Sequence, residues 1–220
     1  MALALFDLDN TLLGGDSDYL WGRFLVHRGI VDGPTYDAAN ECFYRQYLDG
    51  TLDIHAYLRF ALRPLTRHSP QQLAAWRREF IDGWIRPLVL PRGLELVRHH
   101  AAQGDTTLII TATNRFVTAP IAEIFQVQDL LATTPEQRHG HYTGEVVGPI
   151  TFRAGKVDAL ELWLAENGGS LRGSYFYSDS HNDLPLLERV DYPVAVDPDD
   201  TLRQTAKQRN WDLISLREPQ

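Results

Sequence analysis

Cysteine is nearly missing from this chain. Cys42 stands alone among 220 residues, so no intrachain disulfide can form, and a reducing compartment fits. Basic side chains are also short, with 21 Lys and Arg against 29 Asp and Glu, for a net charge of −8. That balance argues against nucleic acid or an anionic membrane surface as partner, since both want Lys/Arg-rich faces. An anionic substrate would need a local positive site. No run approaches the ~20 apolar residues of a membrane span. The N-terminus lacks a basic region, and Asp7 interrupts its short apolar start, so no signal peptide is expected and a cytoplasmic protein is. Repeats and low-complexity segments are absent as well.

What is present is a 44% hydrophobic chain, enough for one domain or one domain with an insertion. Residues 3–8 are short, apolar and continuous, which predicts a buried strand. From 17 to about 87 the texture is helical. Segments 17–29 and 33–50, a third capped by Asp53 and a fourth opened by Ser69 and Pro70 predict four successive helices. Beyond them "TTLIIT", "DLLATT", "SYFYS", "YPVAV" and "WDLIS" predict strands separated by helices, and "EQRHGHYTGEVVG" predicts a hairpin turning near Gly140. Such alternation predicts an α/β fold: a Rossmann-like, doubly wound, mostly parallel sheet with an inserted all-α helical bundle. The expected division is 1–15 and 88–220 for the core and 16–87 for the insertion.

The first strand runs into two carboxylates, Asp7 and Asp9, in "DLDNT". Like charges at a buried strand end repel and are costly to desolvate without a cation or a chemical task. A lone DxD reads most simply as a polar turn, so the other strand ends decide. "LIIT" ends at Thr111, "SYFYS" is followed by Asp179 and Asp183, and Lys156 opens the helix after the hairpin. Ligands of open parallel sheets bind beyond the carboxyl ends of the strands, where all of these gather. Oxygen-only ligands suit Mg²⁺, a hydroxyl and a lysine suit phosphate oxygens, and a held aspartate can attack phosphorus while a second carboxyl moves the proton.

The ordered set "DLDNT", "IITATN", "GK" and "SDSHND" resembles the haloacid dehalogenase superfamily of aspartate-nucleophile phosphohydrolases. The long insertion after the first motif resembles the cap of its phosphoserine-phosphatase-like and histidinol-phosphatase-like members. That resemblance implies Asp7 as nucleophile and metal ligand, and Asp9 as general acid/base whose carbonyl also binds metal. It implies Thr111 and Lys156 on the phosphoryl group, Asp179 and Asp183 as direct or water-bridged Mg²⁺ ligands, and Asn182 near the phosphoryl region. Asp16 stands where relatives carry an acidic substrate contact, one carbon shorter than the usual Glu. Ser178 and Ser180 replace the glycines usual around Asp179. The implied activity is Mg²⁺-dependent hydrolysis of a small phosphorylated metabolite, phosphoserine-like or histidinol-phosphate-like, through an aspartyl phosphate. A phosphomutase on the same site and a catalytically silent regulatory protein are the alternatives.

Other residues read as structure. His139 and His141 fit an exposed hairpin, and His99 and His100 the solvated side of a helix. His181, inside the last motif, is a candidate for the mouth of the site. Trp21, Tyr44, Tyr47, Trp76 and Trp84 fit packing of the helical bundle, and Arg45, Arg59 and Arg63 its surface.

Overall fold

The computed structural model describes residues 2–217; residue 1 and residues 218–220 of the expected core lie outside the described residues. The chain begins with β1 (Leu3–Phe6) and passes at once into four helices: α1 (Ser17–His27), α2 (Gly33–Leu48), α3 (Ile54–Thr66) and α4 (Pro70–Phe80). Their ends follow local chemistry. Asp16 accepts from Tyr19 N to cap α1, Asp53 caps α3, and Ser69 with Gln72 closes a capping box on α4. Around Gly83 the last helix widens into a π turn, Ile81–Ile85, then tightens over Arg86–Leu88 before the chain rejoins the core.

Alternation then begins: α5 (Pro91–Ala102), β2 (Thr106–Thr111), α6 (Arg115–Phe125) and β3 (Asp129–Ala132). The hairpin β4 (Thr134–Arg138) and β5 (His141–Val147) turns through His139 and Gly140, both at positive φ. After it come α7 (Ala154–Asn167), β6 (Tyr175–Ser178), a short α8 (Leu184–Leu187), β7 (Tyr192–Val196), α9 (Asp200–Arg209) and β8 (Asp212–Ile214). The six-stranded sheet has the order β3-β2-β1-β6-β7-β8 and its ladders are parallel.

Both faces of the sheet are covered, which is why the strands are apolar without alternation. Leu3 and Leu5 of β1 join Leu108, Ile110 and Phe176 on one face, with Leu160, Leu186 and Leu202 from α7, α8 and α9. Ala4 and Phe6 point to the other, with Ile109, Tyr177, Val97 and Ile121. This second cluster continues without a break into the helical insertion through Trp21, Phe24 and Phe80. Trp21 meets Phe116 of α6 edge to face at 5.6 Å, and Arg77 of α4 donates to the Phe116 carbonyl at 2.8 Å. At the base of the insertion, its entry and exit strands touch: Leu13 bridges Val89, and Gly14 N donates to Leu88 O at 2.7 Å. The helices are thereby held over the carboxyl ends of β1 and β2.

One histidine expectation is corrected. His99 is exposed, but His100 is buried, with Nδ1 2.8 Å from Asp105 Oδ2 and Nε2 2.8 Å from the Tyr177 hydroxyl. Two partners for two ring nitrogens satisfy it fully, so an imidazole can sit in the core.

Candidate active site

Asp7 lies just past β1, where its N–H still donates to Tyr177 O of the neighbouring strand at 2.9 Å. Its side chain is buried and meets the Lys156 ammonium, Nζ to Oδ1, at 2.7 Å. Lys156 donates equally to Asp183 Oδ2 at 2.7 Å, and the Ser178 hydroxyl donates to that same oxygen at 2.7 Å. Burial alone would strip the lysine of its proton, but Asp183 and Asp7 outweigh burial and hold it above its usual range.

Lys156 reaches this place because of the residue before it. A Cβ on Gly155 would overlap the Ile150 carbonyl oxygen, so only glycine lets the chain 150–153 fold over the first turn of α7. Arg153, at φ 53° and ψ −122°, makes the sharp turn that begins the helix. Its guanidinium donates to Asn182 Oδ1 at 3.0 Å and to the Gly50 carbonyl, while Asn182 Nδ2 donates to Tyr47 O at 3.2 Å. These bonds tie the end of α2 to the loop that carries Asp179 and Asp183.

Thr11 links the two acidic loops. Its hydroxyl accepts from Asp179 N at 3.0 Å and lies 3.0 Å from Asp179 Oδ1 and 3.3 Å from Asp7 Oδ2. One hydroxyl proton thus faces two carboxylates. Burial, against the pull of Lys156, pushes the Asp7 carboxyl up to about 7. Burial, then Asp7 and Asp183, pushes Asp179 well above the usual range. Asp7 and Asp183 share the Lys156 ammonium, and among the described residues Asp179 has no cationic partner, so the deficit of positive charge falls between Asp7 and Asp179.

The donor chemistry there fits a hard dication. Both carboxylates flank Thr11, and the Asp9 carbonyl belongs to the same turn. Among the described residues no three His, Cys, Asp or Glu side chains converge as a ready-made cage. Mg²⁺ is bound by one or two carboxylates together with waters and a substrate phosphate oxygen, so the Asp7–Asp179 pair lies within its chemistry.

Asp9 projects the other way. Ser17 N donates to its Oδ1 at 2.6 Å, and the Thr113 hydroxyl donates to its Oδ2 at 2.7 Å. Burial, with Asp16 adding repulsion, lifts its carboxyl to about 7, so it carries a proton for part of the time near neutrality. Thr111 is buried at the end of β2, its hydroxyl accepting from Thr113 N at 3.2 Å.

Asp7, Asp9, Thr111 and Thr113 floor a cavity of about 580 Å³, open mouth included, that extends up between the helices of the insertion. Asp16 lines it while capping α1, with Oδ1 2.8 Å from Tyr19 N. Tyr44 and Tyr47 line it too, which corrects the expectation that they serve only to pack the bundle; three apart on α2, they share a face. Asn182 is buried and occupied with Arg153 and Tyr47. His181 is turned away, its Nδ1 2.8 Å from Asp199 Oδ2. Thr11, Thr113 and Ser178, which orient the carboxylates, carry no signal in the sequence beyond their place inside or beside the motifs.

The family model for haloacid dehalogenase-like hydrolases matches residues 4–188. A histidinol-phosphatase of Neisseria meningitidis serogroup C (strain 8013) is 44% identical over 219 residues, covering 98% of this chain and 99% of that protein. A crystal structure of a protein of unknown function from Bordetella pertussis Tohama I superimposes with a TM-score of 0.93 at 47% identity, covering 98% of this chain and 99% of that one. A substrate-bound phosphoserine phosphatase has the same fold, with a TM-score of 0.72 at 16% identity over 98% of this chain and 93% of that one.

Proposed function

Since the chain belongs to the haloacid dehalogenase-like hydrolase family and is a phosphatase, we propose that it hydrolyses a small amino alcohol phosphate of the histidinol phosphate kind through a phosphoaspartate at residue 7. The observation that carries this reading is the buried Asp7–Lys156–Asp183 bridge opening into a cavity with acidic and aromatic walls.

Asp7 attacks phosphorus, and the ester oxygen leaves. Asp9, poised near 7 by burial and fixed by Ser17 and Thr113, gives that oxygen its proton. It later takes a proton from the water that attacks the phosphoaspartate, so one carboxyl serves both halves of the cycle. Lys156 holds one oxygen of Asp7 still and offsets phosphoryl charge, and Thr111 hydrogen-bonds the phosphoryl group. Mg²⁺ held by Asp7, the Asp9 carbonyl, Asp179 and, directly or through water, Asp183 would supply the charge that lets a carboxylate meet a phosphate. Residues 16–87 act as a cap on the core of 1–15 and 88–220, excluding water and selecting the substrate. Asp16 meets the substrate from the cavity wall, while Asn182 acts on the phosphoryl region through the loop it ties to Arg153 and Tyr47.

Support for histidinol phosphate over phosphoserine is twofold: the 44% identical relative, and a cavity whose ring-bearing walls suit a flat nitrogenous group better than a second carboxylate. The test is phosphate release by the purified protein with Mg²⁺ from histidinol phosphate, phosphoserine, sugar phosphates and an aryl phosphate. The expected result is the highest kcat/KM on histidinol phosphate. A higher value on a sugar phosphate would overturn the choice of substrate, and return of phosphate to a second sugar position without its release would turn the reading towards a mutase.

A further inference from the structure

The cavity is electrically one-sided. Its charged lining residues are Asp7, Asp9, Asp16 and Asp18, with no Lys, Arg or His among them. The chemistry uses Asp7 and Asp9, and the α1 cap engages Asp16. Asp18 has neither duty. It sits in the first turn of α1, where the helix dipole favours its charge. One neutral donor from another part of the fold holds it: Asn114 Nδ2, at the start of α6, donates to its Oδ1 at 3.3 Å. Tyr57 of α3 lines the same cavity. Asn114 is itself fixed, its Oδ1 accepting from Val117 N at 3.3 Å. No salt bridge to Asp18 occurs among the described residues.

A half-buried acid without a cation, gathered with three other carboxylates, costs free energy. Its carboxyl is pushed up to about 7, by burial above all, with Tyr57 opposing and Asp9 adding. Phe43, Tyr44, Tyr47, Tyr57 and Phe152 line the same space, and ring faces attract cations.

We propose that Asp18, positioned by Asn114, is a specificity-determining residue that receives a protonated nitrogen of the substrate, so that the enzyme selects phosphomonoesters with a cationic nitrogen remote from the phosphate. This inference rests on the phosphatase reading and adds the residue and the charge class. Asp18 comes from the insertion and Asn114 from the core, so this bond holds only while the two are packed together. An ester carrying an extra carboxylate at that end is repelled.

The test uses the Mg²⁺-supplied enzyme and two synthetic phosphomonoesters of equal length, one ending in a primary ammonium and one in a hydroxyl. Wild type should prefer the ammonium ester in kcat/KM by about tenfold or more, the worth of one charged hydrogen bond. Asp18→Asn should erase most of that preference, chiefly through KM, and Asn114→Ser, which keeps a cap for α6 but removes the donor to Asp18, should erase part of it. Equal loss on both esters in Asp18→Asn overturns the inference, because a merely structural residue behaves so. Should that variant fail to fold, Asn114→Ser decides, and an unchanged preference in it overturns the inference. Wild type without a preference overturns it while the phosphatase reading stands. Turnover of neither ester overturns both.

Discussion

Mg²⁺ should stabilise this protein strongly at alkaline pH and weakly at acid pH. Burial carries the Asp7 carboxyl from 3.8 up to about 7 even though Lys156 pulls the other way. Between about pH 4 and 7 the metal-free folded protein therefore keeps a proton that the unfolded chain has released. Stability then falls as pH rises through that window, by up to about 1.4 kcal/mol per pH unit for one such group, and levels off above it. A dication bound between Asp7 and Asp179 would take the place of that proton, so its binding should tighten as pH rises towards and past 7. At 100 times its Kd, a ligand confined to the folded state adds about 2.7 kcal/mol. For a chain of 220 residues, 1 kcal/mol moves Tm by about 2–4 °C, so a shift of about 5–11 °C is expected at pH 8. At pH 5.5 it should largely vanish. Thermal melts followed by circular dichroism, with Mg²⁺ or with a chelator, measure this directly. Asp179→Asn should remove most of the shift at pH 8. An equal shift at both pH values, or one that survives Asp179→Asn, would refute the charge-deficit argument.

Three substitutions probe other parts of the site. Gly155→Ala drives a methyl into the Ile150 carbonyl and displaces Lys156, so turnover should fall at least 100-fold while far-UV circular dichroism stays native-like; wild-type turnover would show that the loop yields freely. Asp9→Asn should slow an alkyl phosphate by about 10²–10⁴, the usual worth of general acid catalysis, and an activated aryl phosphate far less in its first step; equal slowing of burst phases in rapid-quench kinetics would remove the acid role. Gly50 stands at φ +68°, and a Cβ there would lie 2.9 Å from His181 Nε2 and 3.2 Å from Arg153 Nη2, so Gly50→Ala should loosen the Arg153–Asn182 clasp. Faster backbone hydrogen exchange at 47–51 and 181–183 is the expected sign, and unchanged exchange would mean that the clasp does not hold the insertion down.

Much of the fold is legible in the sequence, because strand and helix periods differ and caps are local. Ser69–Pro70, Asp53 and the glycines at 29, 50 and 104 mark helix ends through chemistry confined to a few residues. The acidic pairs are legible for a similar reason: a strand that stops at Phe6 or Ser178 delivers the next residues, Asp7 and Asp179 among them, to the carboxyl edge. The hidden features depend on angles between distant elements. One step along a helix turns the side chain by about 100°, so nothing local says that His100 faces the core while His99 faces water. Tyr44 and Tyr47 read as packing residues because the tilt of α2 over the sheet decides what their shared face meets. Thr11, Thr113 and Ser178 are common hydroxyls whose work appears only when Asp179, Asp9 and Asp183 arrive from elsewhere in the chain. The need for glycine at 155 lies in the path of residues 150–153, which no pattern in "GK" records.

The whole mechanism turns on Asp7 carrying the phosphoryl group. Rapid mixing of enzyme, Mg²⁺ and ³²P-labelled histidinol phosphate, followed by acid quench, reduction with borohydride and peptide mapping, tests it most directly. The expected result is transient radiolabel on the protein that is labile to hydroxylamine, with the reduced residue at position 7. Label should accumulate further in Asp9→Asn and be absent in Asp7→Asn, which should not turn over. Multiple turnovers by Asp7→Asn, or label reproducibly at another residue, would contradict it.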